Sequence, residues 1–308
     1  MQNTETEKII AGFIITFIAT FACAIDTAAI VLIYRKSSFH NSFGLICVSH
    51  MIGDIGFLSM HIYWAGPSEI LRFSPSLSHS MVGLRLCQLA MMFCNISILC
   101  QLPLALNRLV AVTSPVAYSS VFSNRRTMYI LVCLWIVGCA TVSPYFFDGC
   151  AFVYEIDTFL WAYSNNSCGN AMVTFDFVYG TSIEVAVITL DMTTFFAICV
   201  RTKKLAKLRN GEKELRQLRK NISFYLQGCI ISGFYVVMIF SFFHLSKFAK
   251  TKWTAFAATT GFWLVAQGIS GAAIFAFNGS FRKTLSCYRS KEGETSKKCP
   301  TTVAWHPK

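Results

Sequence analysis

The chain has 308 residues, 54% of them hydrophobic and only 14% charged, with 27 lysines and arginines against 15 acidic residues for a formal charge of +12. A soluble domain of this size could not cover so much apolar surface, so the composition excludes an ordinary globular enzyme or binding module and points to lipid. The positive charge falls between apolar runs; it reads as membrane orientation, with no nucleic acid expected as a partner.

Seven apolar stretches are predicted as spanning helices. A helix rising about 1.5 Å per residue needs roughly 20 apolar residues to cross a core of about 30 Å, and in lipid it must satisfy its own backbone amides. The stretches lie near 9–34, 43–64, 84–112, 128–147, 173–200, 222–245 and 253–280, which gives an all-α, seven-transmembrane bundle. One domain, 9–283, is expected between a short polar N-terminus, 1–8, and a polar tail, 284–308. The run after Lys8 is too long for a secretory signal and lacks its small-residue cleavage site, so it is expected to stay as the first helix.

Taken in order, the first span holds Asp26, the second His50 and Asp54, and the fifth Glu184 and Asp191. His50 and Asp54 are four residues apart and so share a helix face. An ionised carboxylate in lipid costs several kcal/mol unless paired or protonated. These residues are therefore expected as an ion or proton site, or as hydrogen-bonded knots, with the one at Asp54 tying the first two helices. Asp191 lies about ten residues, roughly 15 Å of helix, from the basic cluster at Arg201, which assigns it to interhelical packing.

Loop 148–172, after the fourth span, carries Cys150, Trp161 and Cys168. A Cys150–Cys168 bridge is expected in an oxidising compartment, with a bridge from either to Cys87, or two free thiols, as the alternatives. Most other cysteines sit in the spans as small apolar fillers. Asn165-Asn166-Ser167 is a glycosylation sequon, whereas those at Asn95, Asn221 and Asn278 fall in or beneath the membrane. Between Arg201 and Lys220, leucines alternate with basic residues, so the fifth and sixth helices should run on past the membrane around a turn near Gly211. Such ends bind anionic lipid or dock a partner. The last three spans lack proline, and Gly228, Gly233, Gly261, Gly268 and Gly271 are candidates for bending or close packing. Beyond the last span, Cys287 is a candidate for palmitoylation.

Counting lysines and arginines on alternate ends gives twenty-one against six. The excess marks the cytoplasmic side, so the N-terminus is expected outside and the C-terminus in the cytosol.

The sequence Leu106-Asn107-Arg108-Leu109-Val110-Ala111-Val112, followed by Pro115 and Tyr118, resembles the rhodopsin-like receptor signature of Asp-Arg-Tyr, an apolar run, Pro and Tyr. Trp135 with Pro144 is similar to the fourth helix of that superfamily. Ser42-Phe43-Gly44, Cys150 with Trp161 and Cys168, Phe224 with Gln227, and Phe277-Asn278 with Arg282 resemble the nematode serpentine chemoreceptors, class x most closely. The resemblance implies a plasma-membrane receptor, with the sensory cilium as one location, that binds an extracellular small-molecule cue and activates a heterotrimeric G protein without catalysis or cofactor. It places Asn107, Arg108, Pro115 and Tyr118 at the G-protein face, joined by Lys203, Lys204, Lys207, Arg216 and Arg219. Without the resemblance, Arg108 would read as a positive-inside anchor. Asn107 replaces the acidic neighbour of the arginine, which removes a protonation switch there, and the seventh helix lacks Asn-Pro-x-x-Tyr.

A ligand site in a bundle is concave and largely apolar, with a few polar groups. The outer halves of the spans supply His61, Trp64, Met91, Asn95, Asp176, Tyr179, Tyr235, His244, Trp263 and Gln267, a region suited to a small, apolar or modestly polar ligand. A retinal pump is excluded by the absence of lysine from 253–281, and no His-Glu-x-x-His occurs, so no metal is expected. A seven-helix transporter or ligand-gated channel is the alternative reading.

Overall fold

The structure, a computed structural model, describes residues 2–147, 149–206 and 212–277, without the side chains of 2–4, 38, 206, 212–217 and 219–221. Seven long helices form the bundle. They are α1 (Gln2–Arg35), α2 (Ser42–Met60, continued by a π turn, His61–Ala65, into Gly66–Ile70), α3 (Met81–Thr113), α4 (Asn124–Thr141), α5 (Ser167–Ala206), α6 (Glu212–Phe243) and α7 (Lys252–Phe256, a π turn at Ala257–Gly261, then Phe262–Phe277). All but α4 are long and apolar enough to cross a membrane, and the chain is a multi-pass membrane protein. The 207–211 turn around Gly211, Lys207, Asn278 and Cys287 lie outside the described residues.

The two faces of α1 are both apolar but differ in bulk. On α1, Phe13, Phe17 and Phe21 are exposed one turn apart, while Ala11, Ile15, Ala19 and Ala22 are buried. Bulk faces lipid and small side chains face protein, as expected where lipid is as apolar as leucine and packing must drive association. The mating surface on α7 is smaller still: a methyl at Gly268 would lie 2.5 Å from the Ala22 Cβ, and one at Gly271 would lie 2.5 Å from Asp26 Oδ1. Close packing, not bending, is the use of these two glycines. At Gly233 a methyl would meet nothing within 4 Å.

Several helix ends differ from expectation, α2 running on to Ile70 and α5 beginning at Ser167 among them, and two of the differences have a plain cause. α1 begins at Gln2 and not near residue 9, because its polar first turns have partners: Glu5 lies 3.3 Å from Arg72, Glu7 3.2 Å from Lys252 and Lys8 2.9 Å from Asp157. α4 stops at Thr141 instead of 147, since Pro144 cannot continue the hydrogen-bond ladder and opens a 3₁₀ turn, Ser143–Phe146. With Arg125 and Arg126 in its first turn, α4 has an apolar part of only about 20 Å.

Loop 148–172 also differs. Cys168 belongs to the first turn of α5, and the residues before it form a hairpin of β1 (Phe152–Glu155) and β2 (Leu160–Tyr163), paired Phe152 to Tyr163 and Tyr154 to Trp161. The hairpin folds back over the bundle. Phe152, Tyr154, Phe159 and Trp161 are all buried, and the tip is held by a hydrogen bond from Thr260 Oγ1 of α7 to the Phe159 carbonyl at 2.8 Å. The Cys150–Cys168 disulfide ties its base to α5, with Cα atoms 5.2 Å apart, and Cys87 is a buried free thiol.

Candidate ligand cavity and the Arg108 lock

Below the hairpin, α3, α5, α6 and α7 surround a cavity of about 40 Å³. Of the ten residues expected to form a ligand region, Met91, Asn95, Asp176, Tyr179 and Trp263 line it. The sequence reading missed Tyr163, Cys94, Met238 and Phe242, which also line it. Tyr163 arrives on the hairpin, whose aromatics at 152, 154, 161 and 163 recur every second residue, but over runs too short to be read as strands.

Asp176 is the polar centre of the cavity. Its Oδ2 accepts from the Tyr145 hydroxyl at 2.6 Å and from the Tyr163 hydroxyl at 2.9 Å, while its Oδ1 is buried without a protein partner. Burial, with the neighbouring Asp176 charge, pushes both phenols far above their ordinary range and keeps them as donors. The Tyr179 hydroxyl is likewise buried and unpartnered. Asn95 is held by its amide donating to Thr141 Oγ1 at 3.0 Å.

The other predicted residues surround the cavity or lie away from it. His61 and Trp161 lie outside the lining, behind Trp263, with the Trp161 and Trp263 ring centroids 6.3 Å apart. Trp161 Nε1 donates to His61 Nε2 at 3.1 Å, so the His61 proton sits on Nδ1, 3.1 Å from the Phe57 carbonyl. Trp64 packs against Phe73 to one side, with ring centroids 6.4 Å apart. Tyr235 and Gln267 lie deeper. His244 follows the last residue of α6 and lies in a separate groove, against Phe177 and Phe240.

A polar column descends from the cavity. Trp263 Nε1 donates to Cys94 Sγ at 3.3 Å, and the Tyr235 hydroxyl lies 2.8 Å from Asp54 Oδ1 and 2.9 Å from the Gln267 amide oxygen. His50 Nδ1 is 3.5 Å from Asp54 Oδ2. The knot at Asp54 therefore joins α2 to α6 and α7, not α1 to α2. Asp26 also reaches α7, accepting the Gly271 amide at 2.8 Å. Packing explains the partner: only glycine at 271 lets α7 come near enough for its backbone to meet the carboxylate.

At the end of the bundle opposite the hairpin, Arg108 of α3 is buried and its Nη2 donates to Asp191 Oδ1 of α5 at 2.8 Å. Gly228 of α6 presses on the guanidinium so closely that a methyl there would displace it. Next to the arginine, Asn107 Nδ2 donates to the Tyr118 hydroxyl at 3.1 Å. Tyr118 sits in a short helix, Pro115–Val121, which Pro115 opens at its first turn with its ring exposed. Lys203 and Lys204 are exposed on the last turn of α5. Arg216 and Arg219 lie on α6, outside the described side chains, and Asn165 is exposed beyond β2.

Comparison with known proteins agrees with this architecture. Residues 13–278 match the family described as serpentine type 7TM GPCR chemoreceptor Srx. The chain is 24% identical over 322 aligned positions to serpentine receptor class X 45 of Caenorhabditis elegans, covering 98% of this chain and 88% of that one. Its fold is similar to that of squid rhodopsin, with a TM-score of 0.74 at 15% identity over 95% of this chain and 89% of the other. A seven-helix bundle with a hairpin roof, a small cavity beneath it and a buried arginine at the far end thus goes with a sequence match across almost all of its helices, and the chain belongs to the Srx family of serpentine seven-transmembrane GPCR chemoreceptors.

Proposed function

We propose that the hairpin end is extracellular and the Arg108 end cytoplasmic, and that a small-molecule cue bound beneath the hairpin frees Arg108 to engage a heterotrimeric G protein. The observation that carries this reading is the buried Arg108–Asp191 pair. Arginine cannot discharge itself by losing a proton, so a buried guanidinium needs a partner; Gly228 of α6 packs the guanidinium into place against Asp191, so withdrawal of α6 uncovers the pair and lets Arg108 leave it. The charge asymmetry of the connecting segments supports the same orientation.

The cavity supports a coupling of binding to opening. A volume of about 40 Å³ holds a few waters at most. A cue molecule fits only if the lining helices part, so it binds the expanded arrangement better than the closed one and shifts the population toward it. Asp176 Oδ1 and the Tyr179 hydroxyl offer such a molecule a hydrogen-bonding foothold in an apolar chamber. Exposed Lys203 and Lys204, with Lys207, Arg216 and Arg219 along the same basic connection, would present positive charge to the G protein. On this reading Asn165 is available for glycosylation and Cys287 for palmitoylation.

Arg108→Ala tests the assignment. Nucleotide exchange on a co-expressed G protein should vanish at normal surface density; undiminished exchange in the variant would overturn it. An ionic current that survives G-protein blockade would instead place the chain among channels.

A further inference from the structure

The bundle has a second concavity, of about 210 Å³, that opens sideways between α5 and α6. Val185, Ile188 and Phe240 on its walls are exposed, and on a membrane-spanning helix pair such exposure means contact with lipid chains. At its base lies Glu184, only 3% exposed and about midway along α5. Gln101 of α3 donates to Glu184 Oε1 at 3.0 Å, but Glu184 Oε2 has no partner, and neither has the Thr181 hydroxyl one turn away on the same wall.

This combination is costly unless something fills it. A carboxyl oxygen and a hydroxyl oxygen at mid-membrane depth have no water to bond and forfeit hydrogen-bond free energy while empty. Whatever occupies the groove must reach it through hydrocarbon, where a charged group is penalised, so the occupant is neutral. It must also satisfy two neighbouring oxygens whatever the protonation state of Glu184, which calls for a group that both donates and accepts a hydrogen bond. A hydroxyl does so; an ester or an alkane does not.

We propose that the α5–α6 groove is a binding site, separate from the cavity under the hairpin, for a membrane-dissolved lipophilic alcohol whose hydroxyl bridges Glu184 Oε2 and Thr181 Oγ1 and whose chain lies along Val185, Ile188 and Phe240. The site is entered from the bilayer and not through the hairpin.

The test uses the full chain in lipid nanodiscs, with a dodecanol carrying an aliphatic diazirine and the matching dodecane as the probe without a hydroxyl. Photolabelling by the alcohol should map to segments 177–188 and 236–244 and be competed by dodecanol but not by dodecane. Glu184→Gln should keep the label. Glu184→Leu and Thr181→Val should each weaken dodecanol competition roughly three- to tenfold, the effect of losing one hydrogen bond. Thr181→Val conserves shape and keeps the test open if the leucine variant does not fold. Asp176→Asn, in the other cavity, should leave labelling unchanged. Equal labelling by the dodecane probe, competition by dodecane, or undiminished competition in the folded Thr181→Val protein would each overturn the proposal.

Discussion

Replacing Asp191 by asparagine removes one charge and almost no volume, which makes it the sharpest probe of the Arg108 lock. Arg108 and Asp191 are 7% and 5% exposed, and their 2.8 Å contact is a charge-assisted hydrogen bond in a nearly dry setting. Such bonds contribute about 1.5–3 kcal/mol, against about 1 kcal/mol for a neutral one. Asparagine still offers an oxygen to Arg108 Nη2, so the closed arrangement should lose on the order of 1–2 kcal/mol. The open arrangement has already given up this contact and loses nothing. At about 1.4 kcal/mol per decade, the ratio of open to closed rises roughly 5- to 30-fold, and basal signalling follows it while the open fraction is small. Leucine is the wrong substitution, because stranding a buried guanidinium costs about 3–5 kcal/mol and endangers folding. The assay is ligand-free nucleotide exchange normalised to surface density by an N-terminal tag. Basal exchange in Asp191→Asn equal to or below wild type, at matched density, would show that the pair does not hold the resting state.

Other substitutions test other parts of the argument. Cys150→Ser opens a loop closed by cysteines 18 residues apart and should lower stability in detergent by about 3 kcal/mol; a non-reducing digest that finds Cys150 joined to Cys87 would contradict the assigned bridge. Gly271→Ala drives a methyl into Asp26 and should destabilise by about 1–3 kcal/mol, whereas Gly233→Ala, with open space around it, should be neutral or stabilise by up to about 1 kcal/mol. Equal melting shifts for the two would dismiss the close-packing account of α1 and α7. Asp176→Asn should move the half-maximal dose of any cue that activates the wild type about tenfold higher, with basal exchange unchanged; an unaltered dose response would remove Asp176 from the site.

Much of this was legible in the sequence because its causes are local. Spans follow from the length of apolar runs, and the far extensions of α5 and α6 follow from leucines spaced along a basic connection. Arg108 stood out through Pro115 and Tyr118 that follow it at the spacing of a receptor signature, since alone it would read as a positive-inside anchor. Its partner did not, since Arg108 and Asp191 are 83 residues apart and only helix packing brings them together. The same holds for Asp26, whose partner is a backbone amide on α7 and leaves no side-chain signature. The roof was missed for a different reason: strands of four residues inside a loop lie below what alternation resolves, and their burial depends on the bundle they cover. Pro144 carried two messages, a likeness to a fourth helix and the end of α4, and only the second decides where the chain turns.

The distribution of polar contacts identifies where the bundle can part. α6 is joined to α7 along its length, through Ser223 Oγ to the Phe277 carbonyl at 2.8 Å, Tyr235 beside Gln267, and Ser241 Oγ to the Ala258 carbonyl at 2.5 Å. α7 is joined in turn to α1 through Asp26. On the other side, α3 holds α4 through Asn95 and holds α5 through Gln101–Glu184 and Arg108–Asp191, with Arg201 of α5 reaching back to the Val112 carbonyl. Between α5 and α6, no hydrogen bond or ion pair occurs among the described residues; the seam is closed by ring contacts such as Phe177 with Phe243 and Phe195 with Tyr225. Apolar contacts in lipid are exchanged for contacts with lipid chains at little cost, whereas each internal hydrogen bond must be broken without water to replace it. Separation is therefore cheapest along α5–α6, the seam that borders the cavity at Ile239 and Gly180, opens to lipid at Glu184, and meets Arg108 through Gly228. A molecule wedged on either side of that seam acts on the same weak boundary, which is how a cue beneath the hairpin and an alcohol in the bilayer would come to bias one lock.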